Sequence, residues 1–241
     1  MIINMHQKGH RHPLSSTIAE INAIFAEIGF VFAEGPEREK IVYNFDSLNV
    51  PKDHPSRDMQ DTFYLAGQPD LVMRTHTSPV QVRFMQSHQA PIRMICPGKV
   101  FRNEATDATH EAQFFQLEGL MVDKDISLGH MKGVLEYFFS KFFGGEVEVR
   151  FRPSFFPFVE PGVEVDMKIA YNPENKLSGK WIEIMGAGMV HPNVLKASGI
   201  DPEVYQGFAF GMGMERLAVL KYGIDDIRLM YSGDLRFINQ F

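Results

Sequence analysis

The sequence is short of cysteine and of long apolar runs. Cys96 is the single cysteine in 241 residues, which excludes an internal disulfide and a cysteine metal cluster and favours a reducing compartment. The sequence has no run of roughly 18 apolar residues, as a membrane-spanning helix would need, and its N-terminus lacks the apolar segment of a secretory signal. We therefore expect a cytoplasmic protein that does not associate with a membrane.

Positive charge is also scarce. The 24 lysines and arginines are outnumbered by 30 aspartates and glutamates, which gives a formal net charge of −6. A protein that holds nucleic acid by charge alone needs clustered cations that release counterions. Any RNA is therefore expected to bind locally or through a partner.

The order of the predicted elements indicates one large α+β domain. A chain of this length with 44% hydrophobic residues closes one sizeable core. Residues 1–12 are polar and without periodicity, so we predict a flexible lead-in there and a single domain over 13–241. Predicted strands occur in runs and do not alternate singly with helices, which favours a mainly antiparallel sheet flanked by helices.

Caps, turns and apolar spacing set the boundaries of these elements. The principal ones are a helix capped by Ser15 or Ser16 and ended by Gly29, a hairpin of Thr62–Leu65 and Leu71–Arg74, and helices over Leu128–Phe143 and Met214–Tyr222.

Two predicted strands joined by a polar loop carry the first group of functional side chains. Because alternate residues of a strand share a face, one face is expected to present Arg102 and Glu104 opposite Phe114, Gln116 and Glu118. Such a face combines a phosphate-binding fork, an aromatic platform and two polar anchors. The ordinary alternative for Arg102 and Glu104 is a surface ion pair. Apolar neighbours of Glu118 favour a buried or cleft carboxylate instead.

A glycine-rich strand followed by a helix forms the second group. Gly207, Gly211 and Gly213 fall on one face and let a ligand lie against the backbone, and Arg216 follows in the first turn of the helix, where phosphate oxygens bind well. A strand with bulges is the alternative interpretation. Neither the Walker sequence nor the dinucleotide-binding sequence is present, so a different nucleotide-binding fold is required.

Together these two groups resemble motifs 2 and 3 of the class II aminoacyl-tRNA synthetases, as Phe-Arg-Asn-Glu and Gly-Met-Gly-Met-Glu-Arg. From about residue 12 to its end, the chain is similar to bacterial phenylalanyl-tRNA synthetase alpha subunits. Five further segments carry that similarity: 43–46, 57–63, 74–81, 150–158 and 188–193.

The resemblance implies a site for ATP, bent over an antiparallel sheet. Arg102 would bind the α-phosphate, Arg216 would bind the γ-phosphate, and His110 would face the phosphates. Phe114 would lie under the adenine, and Glu104 would contact the adenine amino group or steer the motif 2 loop. Gly211 and Gly213 would lie against the nucleotide.

It also implies a site for L-phenylalanine. The ring would stack against Phe156 and Phe158, above Val159 and Ala209, while His76, Ser78, Gln116 and Glu118 would hold the ammonium and carboxylate groups. Ordinary core packing is the alternative for the two phenylalanines, although their spacing across Pro157 puts both on one side of an extended segment. Glu160 would be a ligand of a Mg²⁺ ion that is shared with the partner subunit.

The implied reaction forms phenylalanyl-adenylate and then transfers the phenylalanyl group to tRNA(Phe). It needs no protein nucleophile, so the two arginines and Mg²⁺ would act by positioning and charge neutralisation. The implied assembly is an alpha-beta heterotetramer with a beta subunit, in which 29–36, similar to motif 1, lies at or near a subunit contact.

The sequence differs from the family in four respects. It begins near the catalytic core without the helical N-terminal extension usual in bacterial alpha subunits. Phe115 stands where many members have histidine, and the loop Asn172–Gly179 has no cysteine where some relatives carry cysteines, so no zinc site is expected. The sequence also has no C-terminal anticodon-binding module of the kind carried by the single-chain organellar enzymes. Two alternatives stay open: a non-catalytic relative that binds or regulates, and an adenylating enzyme with an acceptor other than tRNA.

Overall fold

The computed structural model describes residues 9–107, 111–170 and 179–241. Its main sheet has seven strands: β1 (Val31–Phe32), β4 (Ile92–Phe101), β5 (Gln113–Asp123), β6 (Val147–Phe156), β7 (Val159–Ile169), β8 (Ile182–Val190) and β9 (Gln206–Gly213). Their spatial order is β1-β4-β5-β9-β8-β7-β6. Within the described ranges β1 pairs in parallel with β4, and the other neighbours are antiparallel. The prediction of a mainly antiparallel α+β sheet is confirmed.

A small second sheet corrects one prediction. Strand β3 (Leu71–Met73) pairs along its length with β2 (Arg38–Lys40). The predicted pairing with Thr62–Leu65 forms in part: Tyr64 makes a bridge to Val72, Leu65 N donates to Leu71 O at 3.1 Å, and Met73 N donates to Phe63 O at 2.9 Å. Thr62 bonds instead to its own loop, with its nitrogen donating to Asp58 and its hydroxyl to the Ser56 carbonyl. These local turns therefore compete successfully with strand pairing.

In the part of the chain that the structure describes, seven α-helices flank the sheets: α1 (Pro13–Glu27), α2 (Ile41–Asn44), α3 (Ser78–Ser87), α4 (Leu128–Phe143), α5 (Pro192–Ala197), α6 (Met214–Tyr222) and α7 (Leu235–Ile238). The predicted bounds of α4 and α6 are confirmed. The predicted cap of α1 was wrong, since His12 is the N-cap and its Nδ1 accepts from Leu14 N at 3.2 Å. Pro13 at the first helical position is the signal that marks this start. None of the helices in the described ranges is long and apolar enough to cross a bilayer.

The main sheet separates two cores. On one face α1, α4 and α6 pack with aromatic contacts, and the Phe25 ring lies 4.9 Å from the Phe138 ring and 5.6 Å from the Phe210 ring. Burying each such ring contributes about 1.5–3 kcal/mol. The other face carries the short helices α2, α3 and α5 over a core that includes Leu120 and Val122. Glu118 alternates with Leu117 along β5 and therefore points to this second face, where the sheet is incompletely covered.

Candidate active site

Two cavities open along the incompletely covered face of the sheet. The first has a volume of about 500 Å³ and the second about 450 Å³. Arg102 and Glu104, just beyond the end of β4, line both. The cavities therefore meet at a cation and a carboxylate, which form the centre of the site.

The first cavity has an aromatic wall and a bare floor. The Phe156 and Phe158 rings stand 6.0 Å apart and 20° from parallel, and both line the cavity. Val159 and Ala209 lie on the same lining. Gly186 pairs with Gly211 across β8 and β9, and a Cβ on Gly186 would lie 2.9 Å from the Phe156 ring. The result is a flat slot suited to a planar apolar group.

A buried histidine stands at the polar end of this slot. The His76 Nε2 lies 2.8 Å from the Asn44 carbonyl oxygen, and its Nδ1 lies 2.8 Å from the Ser78 hydroxyl. Burial, with Arg102 and Arg74 nearby, lowers the pKa of His76 to about 4. The ring is therefore neutral at pH 7, with its proton on Nε2 donated to Asn44, and it fixes Ser78 in place.

The carboxylate of Glu118 is the main acceptor of the first cavity. Gln81 Nε2 donates to it at 2.8 Å. Burial raises the pKa of Glu118 to about 7, while Ser78, the Thr77 backbone and two arginines oppose that rise. Within the described ranges, the buried Oε1 of Gln116 has no partner. Two acceptors converging beside an apolar slot suit a ligand ammonium group.

Arg74 supports this cluster and was not singled out from the sequence. It is buried, and its Nε donates to Lys99 O at 2.6 Å while Nη1 donates to Gly35 O at 3.1 Å. A Cβ on Gly98 would lie 2.3 Å from Nη2, so only glycine leaves room for the guanidinium. The available signal was a glycine directly before the predicted strand that ends at Arg102.

Arg102 connects the two cavities as the register of the strands predicts. Val100 pairs with Phe114, and Gly98 pairs with Gln116. Because alternate residues of a strand share a face, Arg102 lies on the same face as Phe114, with its Cζ 5.0 Å from the Phe114 ring centroid. Its Nε donates to Thr75 O at 3.1 Å. Burial lowers the pKa of Arg102, opposed by Glu104 and Glu118, but a guanidinium remains charged at neutral pH.

The second cavity holds the residues of the glycine-rich motif. Arg216 is exposed in the first turn of α6 and, with Phe114 and Gly213, lines the cavity. Glu215 is buried, and its Oε1 accepts from Phe115 N at 2.7 Å and from the Tyr231 hydroxyl. Its Oε2 has no partner among the described residues, and burial raises the pKa of its carboxyl group. Neither Glu215 nor Tyr231 was predicted, because their contact joins segments that the sequence does not relate.

Two predicted site residues, Gly211 and Glu160, are placed elsewhere. Gly211 lines the first cavity and not the second, since Glu118 Cγ and Gln116 Nε2 lie 3.1 Å from where its Cβ would stand. Glu160 lines neither cavity, and its exposed carboxylate lies 3.2 Å from His191 Nε2. In the described ranges no group of three or more histidine, cysteine or acidic residues could hold a metal. His110 lies outside the described residues, and so do residues 172–178 of the predicted cysteine-free loop.

Comparison with known proteins gives one consistent result. The family described as tRNA synthetases class II core domain (F) matches residues 1–241. The Phenylalanine--tRNA ligase alpha subunit of Bacillus subtilis is 57% identical over 239 residues, covering 97% of this chain and 69% of that protein. That of Alkaliphilus metalliredigens is 56% identical over 237 residues, covering 97% and 69%.

Solved structures show the fold. A pyrrolysyl-tRNA synthetase from Desulfitobacterium hafniense matches with a TM-score of 0.69 at 16% identity, covering 93% of this chain and 75% of that one.

Proposed function

We infer the function from one premise: this chain belongs to the phenylalanine--tRNA ligase alpha subunits, within the class II tRNA synthetase core domains. It activates L-phenylalanine with ATP and transfers the phenylalanyl group to tRNA(Phe). One observation carries the site assignment. The two cavities meet at Arg102. The first is apolar and aromatic and contains hydrogen-bond acceptors, and the second contains Arg216 at the N-terminus of α6.

The amino acid occupies the first cavity. Its ring lies against Phe156 and Phe158, and its ammonium group is held by Glu118, Gln116 and Ser78. An ammonium beside Glu118 favours the ionised carboxylate and lowers the pKa of Glu118 from its raised value in the free chain. His76 stays neutral, which spares the ligand ammonium a repulsive neighbour.

ATP, as its magnesium complex, occupies the second cavity. The adenine lies on Phe114, Arg216 meets the γ-phosphate, and Arg102 meets the α-phosphate from the boundary of the two cavities. Glu104 lines both cavities and lies beside the adenine end of the ligand or the adjoining loop. His110 and Gly213 complete the proposed set, and Gly211 contributes from the first cavity.

Activation is an in-line substitution at the α-phosphorus. A phenylalanine carboxylate oxygen forms the new bond to phosphorus, the bond to the bridging oxygen breaks, and pyrophosphate leaves with the electron pair. Arg102 stabilises the charge that develops on the α-phosphate, and Arg216 stabilises the leaving group. A hydroxyl of the terminal tRNA ribose then attacks the phenylalanyl carbonyl, and AMP leaves. No side chain of the chain forms a covalent bond.

Partners and ions complete the proposal. A beta subunit, in an alpha-beta heterotetramer, is the proposed partner, and 29–36 would lie near the contact. Glu160 would give one oxygen to a Mg²⁺ ion only if the other ligands come from outside the described ranges, and its carboxylate would have to leave His191. The single buried thiol of Cys96 suits the cytoplasm.

Phenylalanine-dependent exchange of pyrophosphate into ATP tests this function. We expect exchange with phenylalanine and none with tyrosine, because the apolar slot leaves the tyrosine hydroxyl without a partner. Absence of exchange, also after beta subunit is added, would favour a non-catalytic relative. Exchange without charging of tRNA(Phe) would favour another acceptor.

A further inference from the structure

Phe155 is an exposed aromatic residue at the rim of the first cavity. It is 80% exposed, the highest value among the large hydrophobic residues of the described ranges. It nevertheless belongs to the lining of the first cavity, so its ring stands where that cavity meets solvent. Met59, 76% exposed, belongs to a loop whose Ser56 and Asp61 line the same cavity.

The backbone turns this ring away from its neighbour. In the pairing of β6 with β7, Ser154 lies opposite Gly162 and Phe156 lies opposite Val159, so the two β7 residues Glu160 and Pro161 bulge opposite Phe155. Such bulges re-aim side chains beside binding sites. Phe156 consequently lies inside the cavity against Gly186, while Phe155 reaches the rim.

An aromatic ring left in water contributes little to folding, yet its flat face suits a nucleobase. The acyl acceptor of the proposed function must reach the carbonyl carbon near Arg102, in a site whose two cavities are filled by the adenylate. The first cavity opens to solvent at the rim where Phe155 stands, which gives the acceptor an approach to that carbon. The base attached to the attacking ribose then passes beside that ring.

We propose that Phe155 stacks on the 3′-terminal adenine of the tRNA and so holds the terminal ribose for acyl transfer. This inference rests on the proposed function. It assigns Phe155 to the transfer step alone, because the phenylalanine ring and ATP are bound by other residues. A contact with the beta subunit is the competing explanation of the exposed ring.

The test uses the chain assembled with beta subunit, in two measurements. First, phenylalanyl-adenylate formed on the enzyme is mixed with tRNA(Phe), and the rate of a single transfer is followed. Phe155→Leu should slow transfer about fivefold or more, since stacking on one base contributes that much or more to binding, while Phe155→Trp should keep it. Pyrophosphate exchange should be unchanged in both variants. Leu235→Ala, which removes an exposed leucine that lines neither cavity, is the control.

Second, the dissociation constants of intact tRNA(Phe) and of the same tRNA without its terminal adenosine are compared. The wild-type assembly should bind the intact tRNA about fivefold or more tightly, and Phe155→Leu should abolish that difference. Equal transfer rates in wild type and Phe155→Leu, or a tRNA preference that survives the substitution, would overturn the proposal. Weakened assembly with beta would overturn it in favour of a subunit contact. Loss of exchange in the wild type would instead refute the proposed function.

Discussion

The two cavities differ in how far the fold satisfies their ionisable groups before any ligand arrives. In the first, His76 is held by Asn44 and Ser78, and Glu118 is held by Gln81. In the second, Arg216 is exposed and only half of the Glu215 carboxylate is hydrogen-bonded. The first cavity is therefore organised to select a ligand, whereas the second leaves groups for a ligand to complete.

Removing Arg102, the cation that lines both cavities, should have the largest effect. Arg102→Ala is expected to slow phenylalanyl-adenylate formation roughly 10²–10³-fold, because one preorganised group aimed at developing charge contributes about 3–4 kcal/mol. Pyrophosphate exchange measures this. Arg93→Ala removes an exposed arginine from the same strand and should leave the rate unchanged. Exchange near the wild-type rate in Arg102→Ala would contradict the assignment.

Narrowing the first cavity should affect one substrate alone. Ala209→Val adds two methyl groups to a buried position of the floor, where overpacking costs about 1–3 kcal/mol. We expect kcat/KM for phenylalanine to fall about 5- to 150-fold while the KM for ATP stays unchanged. Ala197→Val, at an exposed site at the end of α5, is the matched control. A parallel rise in both KM values would mean that the cavities are not independent.

Removing a hydrogen bond beside the second cavity should affect ATP more than phenylalanine. Tyr231→Phe removes a donor from the buried Glu215, which should lower the free energy of unfolding by about 1–2 kcal/mol. It should also raise the KM for ATP more than that for phenylalanine. Urea unfolding and exchange kinetics check the two effects. Tyr137→Phe removes a hydroxyl that donates to the exposed Glu27 and should change little. An unaltered KM for ATP would separate Glu215 from nucleotide binding.

The smallest expected effect is the pH dependence of the free energy of unfolding, because the contributions of Glu118 and His76 change in opposite directions. Glu118 keeps its proton in the fold up to about pH 7, so its contribution to stability falls as pH rises from about 4.5 to 7. The pKa of His76 is lowered to about 4, so its contribution rises between about pH 4 and 6.5. The two slopes oppose each other where these windows overlap.

Glu118→Gln should therefore make the free energy of unfolding rise more steeply with pH between about 4.5 and 6.5, and His76→Gln should make it fall. Urea unfolding at several pH values in that window shows the slopes. Glu104→Gln, at an exposed rim position, serves as the control. Slopes of equal sign in the two variants would contradict the burial of these groups.

Sequence reasoning reached the features that depend on local spacing. The alternation of Phe114, Gln116 and Glu118 and the glycines of β9 follow from a strand's period of two, and the register confirms that they face each other. It did not reach Arg74, Gln81 or Tyr231, because the contacts of those residues are made by distant segments. It also overestimated the strand at Thr62–Leu65, since Thr62 bonds to its own loop and only the three residues after it pair with β3.

Gly98 shows that a position can be intolerant of substitution without being part of the site. A survey of every possible substitution would find that position as unforgiving as Arg102, since any side chain there displaces the Arg74 guanidinium. Yet Gly98 lines neither cavity. A map of fitness effects would thus mark Arg102 for its chemistry and Gly98 for the space that it leaves to Arg74. Only the substitutions at Gly98 should become tolerated when a shorter side chain replaces Arg74.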